Sequence, residues 1–156
     1  MSNKFFNDAV IGSKNVKATF SNKGEILRMY YPNVDYKQFL DTFHIGMKIN
    51  DSAIIYLHND INNKYEQYYT EGTNILNTEI ENTYFNIKIK QTDFVTIKNN
   101  ILVKRYTFTN NNKIELDLKL IAHSKLLSNS NNMVSAKVIE NGLIQYNHEY
   151  SFVTFA

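Results

Sequence analysis

Ile114-Glu115-Leu116-Asp117-Leu118-Lys119-Leu120 alternates aliphatic and charged side chains over seven positions. On a helix, at about 100° per residue, the four aliphatics would scatter around the circumference. On an extended strand they share one face and the charges share the other. The segment reads as a half-buried strand. Phe85-Asn86-Ile87-Lys88-Ile89-Lys90 repeats the pattern. Rougher alternation runs through residues 16–20, 26–31, 44–49, 53–57, 67–70, 75–81, 94–98, 102–109, 133–140, 143–146 and 150–155.

Turn chemistry separates these runs. Asn22-Lys23-Gly24 and Asn141-Gly142 offer the positive φ that tight hairpins need, and Asn50-Asp51-Ser52, Asn99-Asn100 and Asn110 to Asn112 are weaker versions. About a dozen strands joined by short polar turns, with no long helical pattern, predict an all-β fold, an antiparallel β-sandwich. Strands with one polar face also argue against a buried parallel sheet. Residues 32–43 read as irregular, with one helical turn within Asp35-Tyr36-Lys37-Gln38-Phe39-Leu40-Asp41, and residues 58–66 read as a surface loop.

The chain has 156 residues, 43% of them hydrophobic, so residues 1–156 fit a single domain, or most of one, with enough core to fold without disulfides. Seventeen basic against fifteen acidic residues leave a net charge of +2 with no charge blocks, which is not the footprint of nucleic-acid binding. No apolar run approaches the ~18 residues of a membrane span, and the N-terminus lacks the apolar core of a signal peptide. With no cysteine, the chain is expected to be cytoplasmic. The C-terminus stops in a strand-like run, residues 150–156, which suggests the front piece of a longer protein. The cut would leave Phe152, Val153 and Phe155 uncovered, and a two-fold homodimer through residues 150–156 is the expected result.

The chemistry-bearing residues are thin. His44, His58, His123 and His148 stand at no spacing that puts two on one strand or helix face, so neither a metal site nor a cofactor is expected. No Gly-x-Ser-x-Gly elbow occurs, and Gly12-Ser13-Lys14 lacks the upstream glycine and following helix of a phosphate loop. The pairs Glu79/Glu81 and Glu115/Asp117 have spacings open to glycoside chemistry, but each belongs to the polar face of an alternating strand. No catalytic residue is assigned. Tyr30-Tyr31-Pro32-Asn33-Val34-Asp35-Tyr36, followed by Asp41 and His44, is the one segment with carbohydrate-compatible chemistry. Aromatic faces can stack on sugar rings and carboxylates accept hydroxyl hydrogens, while a plain structural corner would use the same residues.

Residues 8–50 carry a resemblance. The short opening Ala9-Val10-Ile11-Gly12 is followed by a hairpin with Lys23-Gly24-Glu25. Then come Tyr30-Tyr31-Pro32-Asn33-Val34-Asp35, a loop with aromatic and acidic residues, and Phe43-His44-Ile45-Gly46-Met47-Lys48-Ile49. Together they resemble the start of bacterial glucoamylase-like proteins of glycoside hydrolase family 15. Many of those proteins have Gly-Asn-Gly where this chain has Gly12-Ser13-Lys14. The resemblance implies an N-terminal super-sandwich that precedes an (α/α)6 catalytic barrel with two glutamates acting by inversion. That barrel is not within these residues, so no residue inherits a catalytic role. The expected function is a non-catalytic N-terminal domain of an α-glycosidase, partnered by the barrel of the same polypeptide. Tyr30, Tyr31, Pro32, Asp35, Tyr36, Asp41 and His44 would form the domain-interface or sugar-contact loop. The alternative is a stand-alone module that binds α-glucan on a tyrosine platform.

Overall fold

Asparagine does much of the turning in this chain. Asn50, Asn86, Asn100 and Asn141 take φ of 50°, 50°, 54° and 56°, and Gly24 and Gly72 take 76° and 68°. Asparagine tolerates this left-handed conformation through local hydrogen bonding of its short side chain. In the computed structural model, which describes residues 6–32, 34–35, 37–127 and 133–155, each of the six falls between two strands that then pair antiparallel.

Thirteen strands result: β1 (Ala9–Gly12), β2 (Lys17–Phe20), β3 (Ile26–Tyr30), β4 (Leu40–Ile49), β5 (Ile55–Tyr56), β6 (Asn63–Tyr69), β7 (Leu76–Asn82), β8 (Ile87–Val95), β9 (Leu102–Asn110), β10 (Leu118–Leu126), β11 (Ser135–Ile139), β12 (Gly142–Tyr146) and β13 (Ser151–Phe155). They form four antiparallel sheets, ordered β1-β2-β3, β10-β4-β5, β6-β7-β8-β9 and β11-β12-β13. The all-β, sandwich-like expectation holds, and the described residues contain no helix.

Two apolar clusters join the sheets. The first gathers Ile11, Val16, Ala18, Phe20, Ile26 and Met29 of the opening sheet and its turns with Leu40, Phe43, Leu76 and Leu126. The second sets Met47, Ile49 and Leu57 against Ile80, Ile87 and Ile89 of the four-stranded sheet. Ile45 packs against both. The closing sheet packs on the first cluster through Phe152, beside Tyr150, and adds a polar anchor. Gln145 on β12 hydrogen-bonds the Ser124 hydroxyl and, at 3.1 Å, donates to the Ser124 carbonyl on β10.

β4 carries a bulge. Lys125 pairs with Thr42 and Leu126 with Leu40, so Asp41 is the extra residue. Before it, even-numbered Leu40 points into the core. After it, odd-numbered Phe43, Met47 and Ile49 do so.

Several local expectations are corrected. The decisive run of seven is a strand only from Leu118 onward. Its partner β4 ends at Ile49, and Asn50 closes the ladder there through Asn50 N–H to Asp117 O (2.8 Å) and Asp117 N–H to Asn50 Oδ1 (2.9 Å). Leu116 and Leu118 pack on the second cluster as expected, but Leu120 stays 48% exposed. Its strand is at a sheet edge, where among the described residues no further strand pairs beside it. Residues 58–66 are not simply a loop, because β6 begins at Asn63. β4 begins at Leu40, inside the stretch expected to be irregular, and β1 was not anticipated. Of the three residues expected to be uncovered near the C-terminus, Phe155 is 71% exposed. Phe152 points the other way and packs on Phe39 and Phe43, with ring centroids 5.9 and 6.4 Å away.

Candidate functional site

The register of β4 beyond the bulge at Asp41 decides what its outer face carries. With Phe43, Ile45 and Met47 turned inward, His44 and Gly46 turn outward. Gly46 lies opposite Tyr56 on β5, and Leu57 N–H continues that ladder to Ile45 O at 2.9 Å. The same register carried two residues further sets His58 beside His44. On the other side β10 pairs His123 directly with His44. Three of the four histidines therefore form a row across one sheet face. The His44 ring lies 4.0 Å from that of His58 and 6.4 Å from that of His123. Tyr56 flanks the row, 5.8 Å from His44 and 6.0 Å from His58.

Glu25 meets this row from the β2–β3 turn. Its side chain is 3% exposed, and its Oε1 lies 2.9 Å from His44 Nε2. Burial holds the His58 imidazole below its ordinary pKa. The Glu25 carboxylate opposes that shift, and the His44 and Lys23 charges add to it. A buried carboxylate facing two imidazoles can hold a proton or a cation. The histidines read as scattered are in fact gathered, and only exposed His148 stays apart.

The aromatic segment is dispersed. Tyr30 ends β3, Tyr31 is half exposed and joined to Pro32 by a cis peptide bond, and Asp35 is exposed. Tyr36, with Asn33, lies outside the described residues. Asp41 pairs with Lys125 at 3.0 Å, whereas His44 turns to Glu25. The carboxylate pairs lie on solvated faces. Glu79 accepts a hydrogen bond from Tyr68 OH at 2.7 Å, and Asp117 faces Lys119 at 3.4 Å. Ser13 accepts weak bonds from the Asn15 and Val16 amides, at 3.4 and 3.3 Å, and a Cβ on Gly12 would lie 2.5 Å from Val16 O. Gly12-Ser13-Lys14 is thus a tight strand connection.

A second buried polar group lies in the four-stranded sheet. Lys104 Nζ contacts Asp93 Oδ1 at 2.7 Å, with side-chain exposures of 10% and 0%. Gln91 donates to Asp93 Oδ2 (2.6 Å) and to Gly24 O (2.8 Å). Burial pulls the Lys104 ammonium down, with Asp93 opposing. Burial and then the Asp93 charge push the Tyr106 phenol well above its usual value of 10.0. This group ties the β2–β3 turn to the sheet.

No family model matches the chain, and no solved structure matches it. It is similar to the uncharacterized glycosyl hydrolase MJ1610 of Methanocaldococcus jannaschii, at 29% identity over 145 residues. The match covers 92% of this chain and 23% of that protein, so the chain spans about a quarter of the length of its curated relative.

Proposed function

We propose that the chain is the non-catalytic N-terminal sandwich region of a glycoside hydrolase of the glucoamylase-like type, family 15. It would pack against and support an (α/α)6 catalytic barrel in the cytoplasm. The observation that carries this reading is the similarity along nearly the whole chain to a small fraction of a much longer glycosyl hydrolase. Two features support it. The acidic pairs Glu79/Glu81 and Glu115/Asp117 are exposed to solvent rather than set across a cleft as glycoside chemistry requires. Exposed Tyr146, Val153 and Phe155 share one face of the closing sheet, an apolar surface suited to a neighbouring domain.

The test is hydrolysis of maltooligosaccharides by the chain alone and by the polypeptide that carries it, with and without residues 1–156. Glucose release is expected only from the longer polypeptide, and its barrel should lose stability when the sandwich is removed. Glucose release by the chain alone, abolished by Glu79→Gln or Glu115→Gln, would overturn the reading.

A further inference from the structure

We propose that Glu25, His44 and His58 form a binding site for a transition-metal cation of the zinc type. The donor atoms of these three residues all lie within 4.8 Å of one another, and Glu25 Oε1 lies 2.9 Å from His44 Nε2. Tetrahedral zinc, with bonds of about 2.0–2.1 Å to nitrogen and oxygen, sets its donors about 3.3 Å apart. The observed spacings bracket that value, so side-chain rotation alone can close the site. Two imidazoles and a carboxylate suit zinc and its neighbours in the first transition series, and are poor for calcium or magnesium, which prefer all-oxygen shells.

The three ligands come from separate places: the β2–β3 turn, the middle of β4, and the segment just after β5. A bound ion would clip the opening sheet to the β10-β4-β5 sheet across the outer face of β4. The apolar clusters lie on the other face of that strand and do not reach this one. Two imidazole rings 4.0 Å apart meet a carboxylate that is 3% exposed. The site is independent of the proposed glycosidase role, and its test needs no glycosidase activity.

The metal-stripped chain is titrated with Zn2+ by calorimetry and with Co2+ by visible absorbance. One saturable site per chain is expected, with a raised melting temperature on Zn2+ addition. His58→Ala should weaken binding by more than about tenfold, because even partners outside the ligand set are worth that much. His148→Ala, at a distant exposed histidine, should leave binding unchanged. Should His58→Ala fail to fold, proton NMR of the wild-type chain decides instead. Co2+ should broaden and shift the His44 and His58 ring signals and spare those of His148. Absence of saturable binding in the wild-type chain would overturn the proposal. So would binding that survives in folded His58→Ala, or Co2+ effects on His148 instead of His44 and His58.

Discussion

β7 and β8 lie inside their sheet, whereas β10 and β13 lie at the edges of theirs, and all four are built on alternating side chains. In β7 and β8 the inward residues are sealed: Leu76, Ile80, Ile87 and Ile89 are buried. In β10, Leu120 pairs with fully buried Met47 and so shares its face, yet half of it stays in solvent. Alternation decides which way a side chain points. The presence of a neighbouring strand or layer decides whether pointing that way removes it from water. Hydrophobic stabilisation follows the area removed, so equal-looking leucines and isoleucines differ in energetic weight.

The strongest challenge to this contrast lies at Asp93, fully buried on interior strand β8 and paired with Lys104 of the edge strand β9. Lys104→Ala leaves Asp93 charged and buried, and should cost about 3–5 kcal/mol in a urea unfolding series. A loss below ~1 kcal/mol would mean that water reaches the pair and the region is less sealed than described. Ile89→Ala should cost about 2–5 kcal/mol through its transfer energy and the cavity left behind. Leu120→Ala should cost only roughly 1 kcal/mol, because half its surface is already hydrated. Equal losses at these two positions would erase the distinction between interior and edge.

Alkaline pH sharpens the same contrast. The Tyr106 phenol resists ionisation in the folded chain, while the unfolded chain ionises near its usual pKa of about 10. Its contribution is therefore complete below about pH 10 and is lost as pH rises further. Lys104 works in the opposite sense, since its folded pKa is lowered. Comparing wild type with Tyr106→Phe cancels the lysine. The stability of wild type relative to the variant should fall above about pH 10, and a constant difference would show a solvated phenol. The smallest effect is expected at Lys119, exposed beside Asp117, where Lys119→Ala should cost less than about 0.5 kcal/mol by thermal melting.

The fold class was legible because the chain states it redundantly, in alternation and in turns. Asn141 and Gly24 adopt the conformations their neighbours in sequence suggest. Strand ends were less legible. Leu116 alternates as well as Leu118 does, but only the partner's end at Asn50 stops the ladder between them. The histidine row was half readable. His44 and His58 stand seven residues on either side of Asp51, so a hairpin centred on that turn pairs them. Spacing rules for a single strand cannot show this, because the two lie on neighbouring strands. The approach of His123 and Glu25 depends on long-range register and packing, which no local pattern encodes.

Asp41 adds one residue to β4, and so acts as a parity switch in the numbering of its inward positions. Upstream, even positions are interior; downstream, odd positions are. Every residue from Phe43 to Ile49 takes its side of the sheet from its pairing with β10, and the bulge absorbs the odd residue that precedes them. Such a segment should absorb many substitutions over evolutionary time but few single-residue insertions or deletions. Losing the Asp41 codon itself would only remove the bulge, because Leu40, Thr42 and Phe43 would then alternate regularly against Leu126, Lys125 and Ser124. Losing one between Phe43 and Ile49 would instead turn the residues beyond it to the wrong face. The reading frame of this strand is thus checked twice, once by the ribosome in nucleotides and once by the fold in residues.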